Sequence, residues 1–132
     1  MKKIILTLLL LASSLLAELK NEYLTQKFLD SKMPIVDIRT VGEWKYTGIL
    51  RGSIPIEFFN EQGQYNIPDF LAQLNAKVDT SKPFALICRT GSRTKMVAQF
   101  LSDTYNYKVT NITGGIRIHR MDFADLDFVK YK

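Results

Sequence analysis

Apolar residues in this chain are concentrated in short runs separated by stretches of mixed polarity. Such runs predict β-strands when they are too short for a helix and are bounded by proline, glycine or charged residues. They lie at residues 34–38, 53–56, 84–88 and 109–112. The run at 84–88 is apolar throughout, which is typical of a central strand in a parallel sheet covered on both faces.

Between these runs, apolar residues recur three and four positions apart, as they do on the buried side of a helix. Asn106 tolerates the left-handed conformation that often ends a helix. Alternating strands and helices predict an α/β fold with a parallel sheet and right-handed crossovers. The spacing predicts helices over 18–30, 68–76 and 94–105, a helical turn over 43–46, and a last helix after 114–115.

The first residues have the pattern of a secretory leader. Lys2 and Lys3 supply the positive start, and residues 4–12 form an apolar run broken only by Thr7. A membrane-spanning helix needs roughly 20 apolar residues, so this run is too short for a permanent anchor. We expect cleavage after residue 14 or residue 17, which releases a periplasmic or otherwise exported protein without a stable membrane anchor.

The length of 132 residues leaves room for one domain behind this leader. We expect the leader over 1–17 and a single domain over 18–132. Removal of Lys2 and Lys3 lowers the formal net charge from +5 to +3, and the remaining basic residues are scattered. This distribution argues against nucleic-acid binding and is compatible with the attraction of small anions.

The chain contains one cysteine, Cys88, and one histidine, His119. A lone cysteine cannot form an internal disulfide, so in an exported protein it is either a buried inert thiol or a reactive one. One cysteine and one histidine are too few soft ligands for a zinc site. We therefore expect neither a metal nor another cofactor.

The position of Cys88 favours the reactive alternative. It ends the predicted central strand and directly precedes a helix, and ligands in α/β folds bind beyond the carboxyl ends of strands. Gly91 supplies the conformational freedom for a rapid reversal of the chain. A loop curled in this way turns backbone N–H groups toward the sulfur, and the N-terminus of the helix adds partial positive charge. Thiolate is the favoured form of a cysteine in such a setting.

The remaining loop residues supply groups suited to an anionic substrate. Thr90 and Ser92 carry hydroxyls that can donate to sulfur, while Arg89 and Arg93 carry guanidinium groups that hold oxyanions in a forked geometry. Cations at the start of a helix oppose its dipole. An anionic ligand is a sufficient reason for placing two arginines there.

Three segments, in this order, make the sequence similar to a rhodanese-like, or sulfurtransferase, domain from about residue 32 to residue 119. The first segment is Val36-Asp37-Ile38-Arg39 followed by Glu43-Trp44, Gly48 and Gly52-Ser53-Ile54-Pro55-Ile56. The second is the loop from Cys88 to Arg93 with its helix. The third is Asn111-Ile112-Thr113-Gly114-Gly115-Ile116.

The resemblance implies a rhodanese-like α/β fold with a central parallel five-stranded sheet flanked by helices on both faces. It also implies an active loop whose six amides surround a persulfide on Cys88. The implied activity moves sulfane sulfur from a small anionic donor such as thiosulfate to an acceptor, which is an unknown thiol, cyanide or a protein. Substrate binding is then assigned to Arg89, Thr90, Gly91, Ser92 and Arg93.

Residues outside the loop are expected to have structural roles. We expect Asp37 and Arg39 to stabilise the fold as a partly buried ion pair. Ile49 stands where many family members have histidine, and His119 stands where an aromatic residue, often tryptophan, is common. Because amides can activate a thiol without a base, we expect His119 to have no catalytic role.

Two other functions fit part of this pattern. Phosphatases and arsenate reductases also use a loop from cysteine to arginine after a strand, but their loop has one more residue than the four at 89–92. A non-catalytic module for redox sensing or partner docking would use the same scaffold. The retained cysteine is compatible with such a sensor, whose thiol is oxidised to sulfenic acid.

Overall fold

The computed structural model describes residues 19–122 and 127–132, with the backbone alone for 120–122. The leader expected over 1–17 lies outside the described residues, so its cleavage site stays a prediction. Within the described part, no helix is both long enough and apolar enough to cross a membrane.

The described residues form strands and helices that alternate through most of the chain. The strands are β1 (Lys20–Glu22), β2 (Ile35–Asp37), β3 (Ile49–Leu50), β4 (Ile54–Pro55), β5 (Phe84–Ile87), β6 (Val109–Ile112) and β7 (Phe128–Val129). The helices are α1 (Gln26–Asp30), α2 (Val41–Thr47), α3 (Ile67–Lys77), α4 (Ser92–Tyr105) and α5 (Gly115–Asp122).

The main sheet has five strands in the order β1-β6-β5-β2-β4, and every neighbouring pair is parallel. β5 lies at the centre, between β6 and β2. The predicted α/β fold with a parallel five-stranded sheet is confirmed. Parallel strands all end at one edge of the sheet, so the residues that follow β2, β4, β5 and β6 gather there.

Side chains that alternate along β5 divide the core between the two faces of this sheet. Phe84 and Leu86 pack with apolar residues of α3 and α4 on one face. Ala85 and Ile87 pack with apolar residues of α1 and α5 on the other. This arrangement explains the continuous apolar run at 84–88, since both faces of the central strand are buried.

The helix expected over 18–30 is wrong in its first half. β1 (Lys20–Glu22) instead extends the sheet by pairing with β6. The helix begins only after Thr25, whose side chain accepts a hydrogen bond from the amide of Phe28. Pairing with a neighbouring strand that lies far away in the sequence outweighs the local helix-like spacing.

A second, two-stranded sheet joins β3 to β7 in antiparallel orientation, and it was not expected from the sequence. We call residues 127–132 the C-terminal tail. The tail passes close to Gly48, where a Cβ atom would lie 2.5 Å from the carbonyl oxygen of Val129 and where φ is +76°. The ring of Tyr131 in the tail lies 5.1 Å from that of Trp44, centroid to centroid.

Candidate active site around Cys88

Cys88 lies where the chain leaves the central strand, at the sheet edge described above. Its side chain is fully buried and belongs to the core on the α3 and α4 face. The amide of Gly91 donates a hydrogen bond to Sγ at 3.1 Å. Gly91 has φ of +93°, a conformation that favours glycine, and this turn brings its amide back toward the sulfur. The sulfur therefore accepts a hydrogen bond from the loop although it is enclosed by the core.

The start of α5 holds the active loop from behind. The amide of Ile116 donates to the carbonyl oxygen of Cys88, and the amide of Arg117 donates to that of Arg89, both at 2.9 Å. A Cβ atom on Gly115 would lie only 2.5 Å from the carbonyl oxygen of Cys88. These contacts hold the carbonyl groups of Cys88 and Arg89 toward α5. The amide of Gly91 points the other way, toward the sulfur.

The hydroxyl that contacts the sulfur is not one of those expected. Thr90 and Ser92 are exposed, and their hydroxyl oxygens lie 3.2 Å from each other. Thr94, which is fully buried in the first turn of α4, has its Oγ1 3.5 Å from Sγ of Cys88. Thr94 lies six residues after Cys88, just beyond the loop, so a search for hydroxyl groups within the loop alone overlooks it.

The guanidinium of Arg93 is already paired with a carboxylate of the protein. Its Nη1 and Nη2 each donate to one carboxylate oxygen of Glu43 at 2.8 Å. Glu43 also caps α2, because it accepts from the amide of Thr40 while the Thr40 side chain accepts from the amide of Glu43. Arg93, which was expected to hold a substrate anion, forms a bidentate ion pair in this structure, and its role toward a substrate stays a prediction.

Opposing effects act on the carboxyl group of Glu43. Burial raises its pKa, but the hydrogen bonds from Arg93 and from the amide of Thr40 outweigh burial and hold the pKa at about 2. The same hydrogen bond to Glu43 raises the pKa of Arg93. The pair is thus charged at neutral pH. Thr40 and Glu43 form a capping-box pattern in the sequence, which predicts the cap but not the contact with Arg93.

Arg89 is exposed at the start of the loop, together with Thr90 and Ser92. These three side chains form what we call the loop rim. Arg89 is therefore accessible to an anion arriving from solvent, whereas Arg93 is partly buried against Glu43.

Asp37 and Arg39 form a buried ion pair beside the central strand, and both side chains are at most 2% exposed. Arg39 Nε and Nη2 donate to the carboxylate of Asp37. The remaining donors of Arg39 reach the hydroxyl of Thr47 and the carbonyl oxygen of Gly48, at 2.7 and 2.8 Å. The pair thereby joins the end of β2 to the end of α2, which carries Glu43.

His119 is buried in α5. Its Nε2 accepts from the amide of Leu24 at 3.1 Å and lies 3.2 Å from the carbonyl oxygen of Thr113. The contact with Leu24 ties α5 to the segment before α1. Over the described ranges, no three or more His, Cys, Asp or Glu side chains come together in a group able to hold a metal ion.

The loop, its parallel sheet and its supporting helix agree with what known proteins show. Residues 16–117 match the family described as Rhodanese-like domain. The chain belongs to the rhodanese-like domain family. The resemblance expected from three short segments is thereby confirmed over most of the chain.

Relatives of this rhodanese-like domain come from bacteria and plants. The uncharacterized protein RP600 of Rickettsia prowazekii is 33% identical over 97 residues, which cover 71% of this chain and 77% of RP600. Rhodanese-like domain-containing protein 17 of Arabidopsis thaliana is 30% identical over 93 residues, covering 68% of this chain and 60% of that protein. The crystal structure of a rhodanese-like domain protein from Staphylococcus aureus superposes with a TM-score of 0.60 at 18% identity, over 86% of this chain and all of that one.

Proposed function

We propose that this rhodanese-like domain is a sulfurtransferase that carries sulfane sulfur as a persulfide on Cys88. The observation that carries the proposal is the hydrogen bond from the Gly91 amide to Sγ, within a loop whose carbonyl groups are held by α5. An anionic sulfur is stabilised by an amide donor and by the N-terminus of a following helix.

In the first step, the thiolate of Cys88 attacks the outer sulfur of a small anionic donor such as thiosulfate. A sulfur–sulfur bond forms on Cys88, the sulfur–sulfur bond of thiosulfate breaks, and sulfite leaves with the electron pair of that bond. The new terminal sulfur lies about 2 Å beyond Sγ. It carries the negative charge to be stabilised by the loop.

In the second step, a nucleophilic acceptor takes the terminal sulfur. Cyanide attacks that sulfur, thiocyanate leaves, and the electron pair of the broken bond regenerates the thiolate of Cys88. A thiol acceptor or a protein thiolate would react in the same way. This two-step exchange through a covalent intermediate predicts ping-pong kinetics.

Arg89 is the better candidate for meeting the sulfonate end of the donor. It is exposed on the loop rim with the hydroxyls of Thr90 and Ser92. Arg93, held by both oxygens of Glu43, contributes positive charge near the sulfur and shapes the start of α4. We propose that the protein acts after export, where a single thiol escapes internal disulfide formation.

The experiment is an intact-mass measurement of the purified protein after incubation with thiosulfate. We expect the wild type to gain one sulfur atom and to lose it, with release of thiocyanate, when cyanide is added. Cys88→Ser should gain none. No added sulfur on the wild type, or equal addition to Cys88→Ser, would refute the proposal.

The same sample distinguishes the two other functions. Hydrolysis of an aryl phosphate at a rate comparable to sulfur transfer would favour a phosphatase. Recovery of Cys88 as a sulfenic acid or as a mixed disulfide with one defined protein, without sulfur transfer, would favour a sensor or docking module.

A further inference from the structure

A row of hydrogen-bonded polar side chains runs from the edge strand β1 to the sulfur of Cys88. Asn21 and Asn111 are directly opposite each other in the pairing of β1 with β6. Asn111 Nδ2 donates to Asn21 Oδ1 at 3.0 Å, and Thr94 Oγ1 donates to Asn111 Oδ1 at 2.6 Å. Thr94 Oγ1 in turn lies 3.5 Å from Sγ. Thr94 and Asn111 are buried, so each of these polar groups depends on its protein partners.

The hydroxyl of Thr94 has one proton, and two oxygen atoms compete for it. One is Asn111 Oδ1 at 2.6 Å, and the other is the carbonyl oxygen of Gly91 at 3.1 Å. Both are closer to Oγ1 than the sulfur is, and oxygen is the stronger acceptor. The hydroxyl therefore directs its proton to oxygen and presents a lone pair to Sγ.

A protonated Cys88 satisfies every contact of this arrangement. Its sulfur accepts from the Gly91 amide at 3.1 Å, and its S–H donates to Thr94 Oγ1. With a thiolate, Thr94 Oγ1 would face three acceptors with one proton to offer. The Thr94 contact thus favours the thiol, whereas the Gly91 amide and the start of α4 favour the thiolate.

We propose that Asn111, oriented by Asn21, is a positioning residue that makes the Thr94 hydroxyl a hydrogen-bond acceptor toward Cys88 and so restrains formation of the thiolate. Asn111 acts through Thr94 and does not touch the sulfur. This role of Asn111 rests on the proposed function in one respect, which is that Cys88 is the residue that carries sulfur.

Charged groups near the sulfur lie on α2, α4 and β2 and in the active loop, where Arg89 directly follows Cys88. Arg93 of α4 interacts electrostatically with Cys88 and is paired with Glu43 of α2. Asp37 and Arg39 are paired at the end of β2. Substitutions at Thr94, Asn111 and Asn21 replace none of these charged side chains, so we expect a change in thiol reactivity to report on the hydrogen-bonded row.

The first test is the rate at which iodoacetamide alkylates Cys88, measured against pH in Thr94→Val. If the hydroxyl is an acceptor, its loss moves the midpoint of the profile to lower pH. One net hydrogen bond corresponds to a roughly threefold to tenfold rise in alkylation rate below the midpoint. Thr94→Ser keeps the hydroxyl and should keep the wild-type midpoint. An unchanged midpoint in Thr94→Val would overturn the proposal, and so would a midpoint moved to higher pH, which would show that the hydroxyl donates to the thiolate.

The second test changes Asn21, which is exposed on the edge strand β1. Asn21→Val removes the acceptor that fixes the Asn111 amide, so the midpoint should move to lower pH. Asn21→Gln keeps an amide oxygen without adding charge and should retain the wild-type midpoint. Equal midpoints in the two variants would contradict the role of Asn21. Alkylation requires no sulfur donor, so these outcomes are independent of whether thiosulfate loads Cys88.

Discussion

Glu43 shows how one side chain links the folding of a helix to the surroundings of the candidate nucleophile. It closes the capping box of α2 with Thr40 and holds the guanidinium of Arg93 through both carboxylate oxygens. The contact spans 50 residues of sequence. A local capping motif therefore also sets the position of a cation near Cys88.

Glu43→Gln should lower the free energy of unfolding at pH 7 by about 1 kcal/mol, since the ion pair is partly exposed and the cap is weakened. The pKa of Glu43 is lowered from 4.5 to about 2. A lowered pKa gives stability that is fully present above 4.5 and is lost as pH falls through about 2. The difference between wild type and variant in urea unfolding should therefore shrink over this range.

The control for this measurement is Glu22→Gln, which changes an exposed carboxylate on β1. It should leave the free energy of unfolding almost unchanged at every pH. A wild-type advantage over Glu43→Gln that is as large at pH 2 as at pH 7 would contradict the role of the charged pair.

At the residue scale, the sequence predicts the loop from Cys88 to Arg93 but not the side chains that contact the loop residues. Thr94 contacts Asn111 across 17 residues of sequence, and Arg93 contacts Glu43 across 50. Such contacts depend on which strands and helices become neighbours. Local spacing carries no information about that choice, so the exposed Thr90 and Ser92 were indistinguishable in advance from the buried Thr94.

At the scale of elements, α5 determines the shape of the active loop. Its first amides bind the carbonyl groups of Cys88 and Arg89. The close approach requires glycine at position 115, where φ is +58° and an added Cβ atom would lie 2.5 Å from one loop carbonyl oxygen and 2.7 Å from the other. These neighbours are backbone atoms and cannot rotate away.

Gly115→Ala should therefore reduce the rate of sulfur loading on Cys88 by about tenfold or more, because a loop displaced by the collision loses its alignment. The measurement is the time course of sulfur addition by intact mass. Gly63→Ala is the matched control, since Gly63 has φ of +75° with open space around the added atom. It should cost about 1 kcal/mol of stability and leave the loading rate unchanged. Equal losses in both variants would contradict a specific role for α5.

Sequence patterns predicted the helices and strands packed on the core more accurately than the short strands at the edge of the main sheet and in the small sheet. The predicted strand at 109–112 coincides with β6, and the predicted helices at 68–76 and 94–105 lie within α3 and α4. These elements have strong apolar patterns because they are packed on the core. β1, β3 and β7 have two or three residues each, and they exist through pairing with a neighbour rather than through their own pattern.

At the scale of the whole molecule, the two ends of the described chain lie on different parts of the fold. β1 extends the main sheet beside β6, whereas the C-terminal tail pairs with β3 and packs Tyr131 on Trp44. The tail thus stabilises the region that carries Glu43.

Tyr131→Ala should expose Trp44, which is 3% exposed and is the only tryptophan of the chain. We expect tryptophan emission at longer wavelength and a loss of about 1 kcal/mol in unfolding free energy. Tyr46→Ala on the same helix is the control, because Tyr46 is 91% exposed and its removal should change neither quantity. Unchanged emission in Tyr131→Ala would show that the tail does not cover Trp44.

The fold class followed from alternating patterns and a resemblance to a known family. The parallel five-stranded sheet and the family match over residues 16–117 confirm the fold class and the family. The small antiparallel sheet was missed because it joins residues 49–50 to residues 128–129, at the far end of the described chain. Only the folded chain brings these two segments together.

The parallel orientation of β1 has a practical consequence for handling the protein. Lys20 begins β1, so the chain enters at the sheet edge opposite the one where Cys88 follows β5. A resin, sensor surface or fusion partner attached ahead of Lys20 therefore leaves the reactive end facing the bulk solution. Immobilisation through Lys132 would instead place the support beside Tyr131, which packs on Trp44.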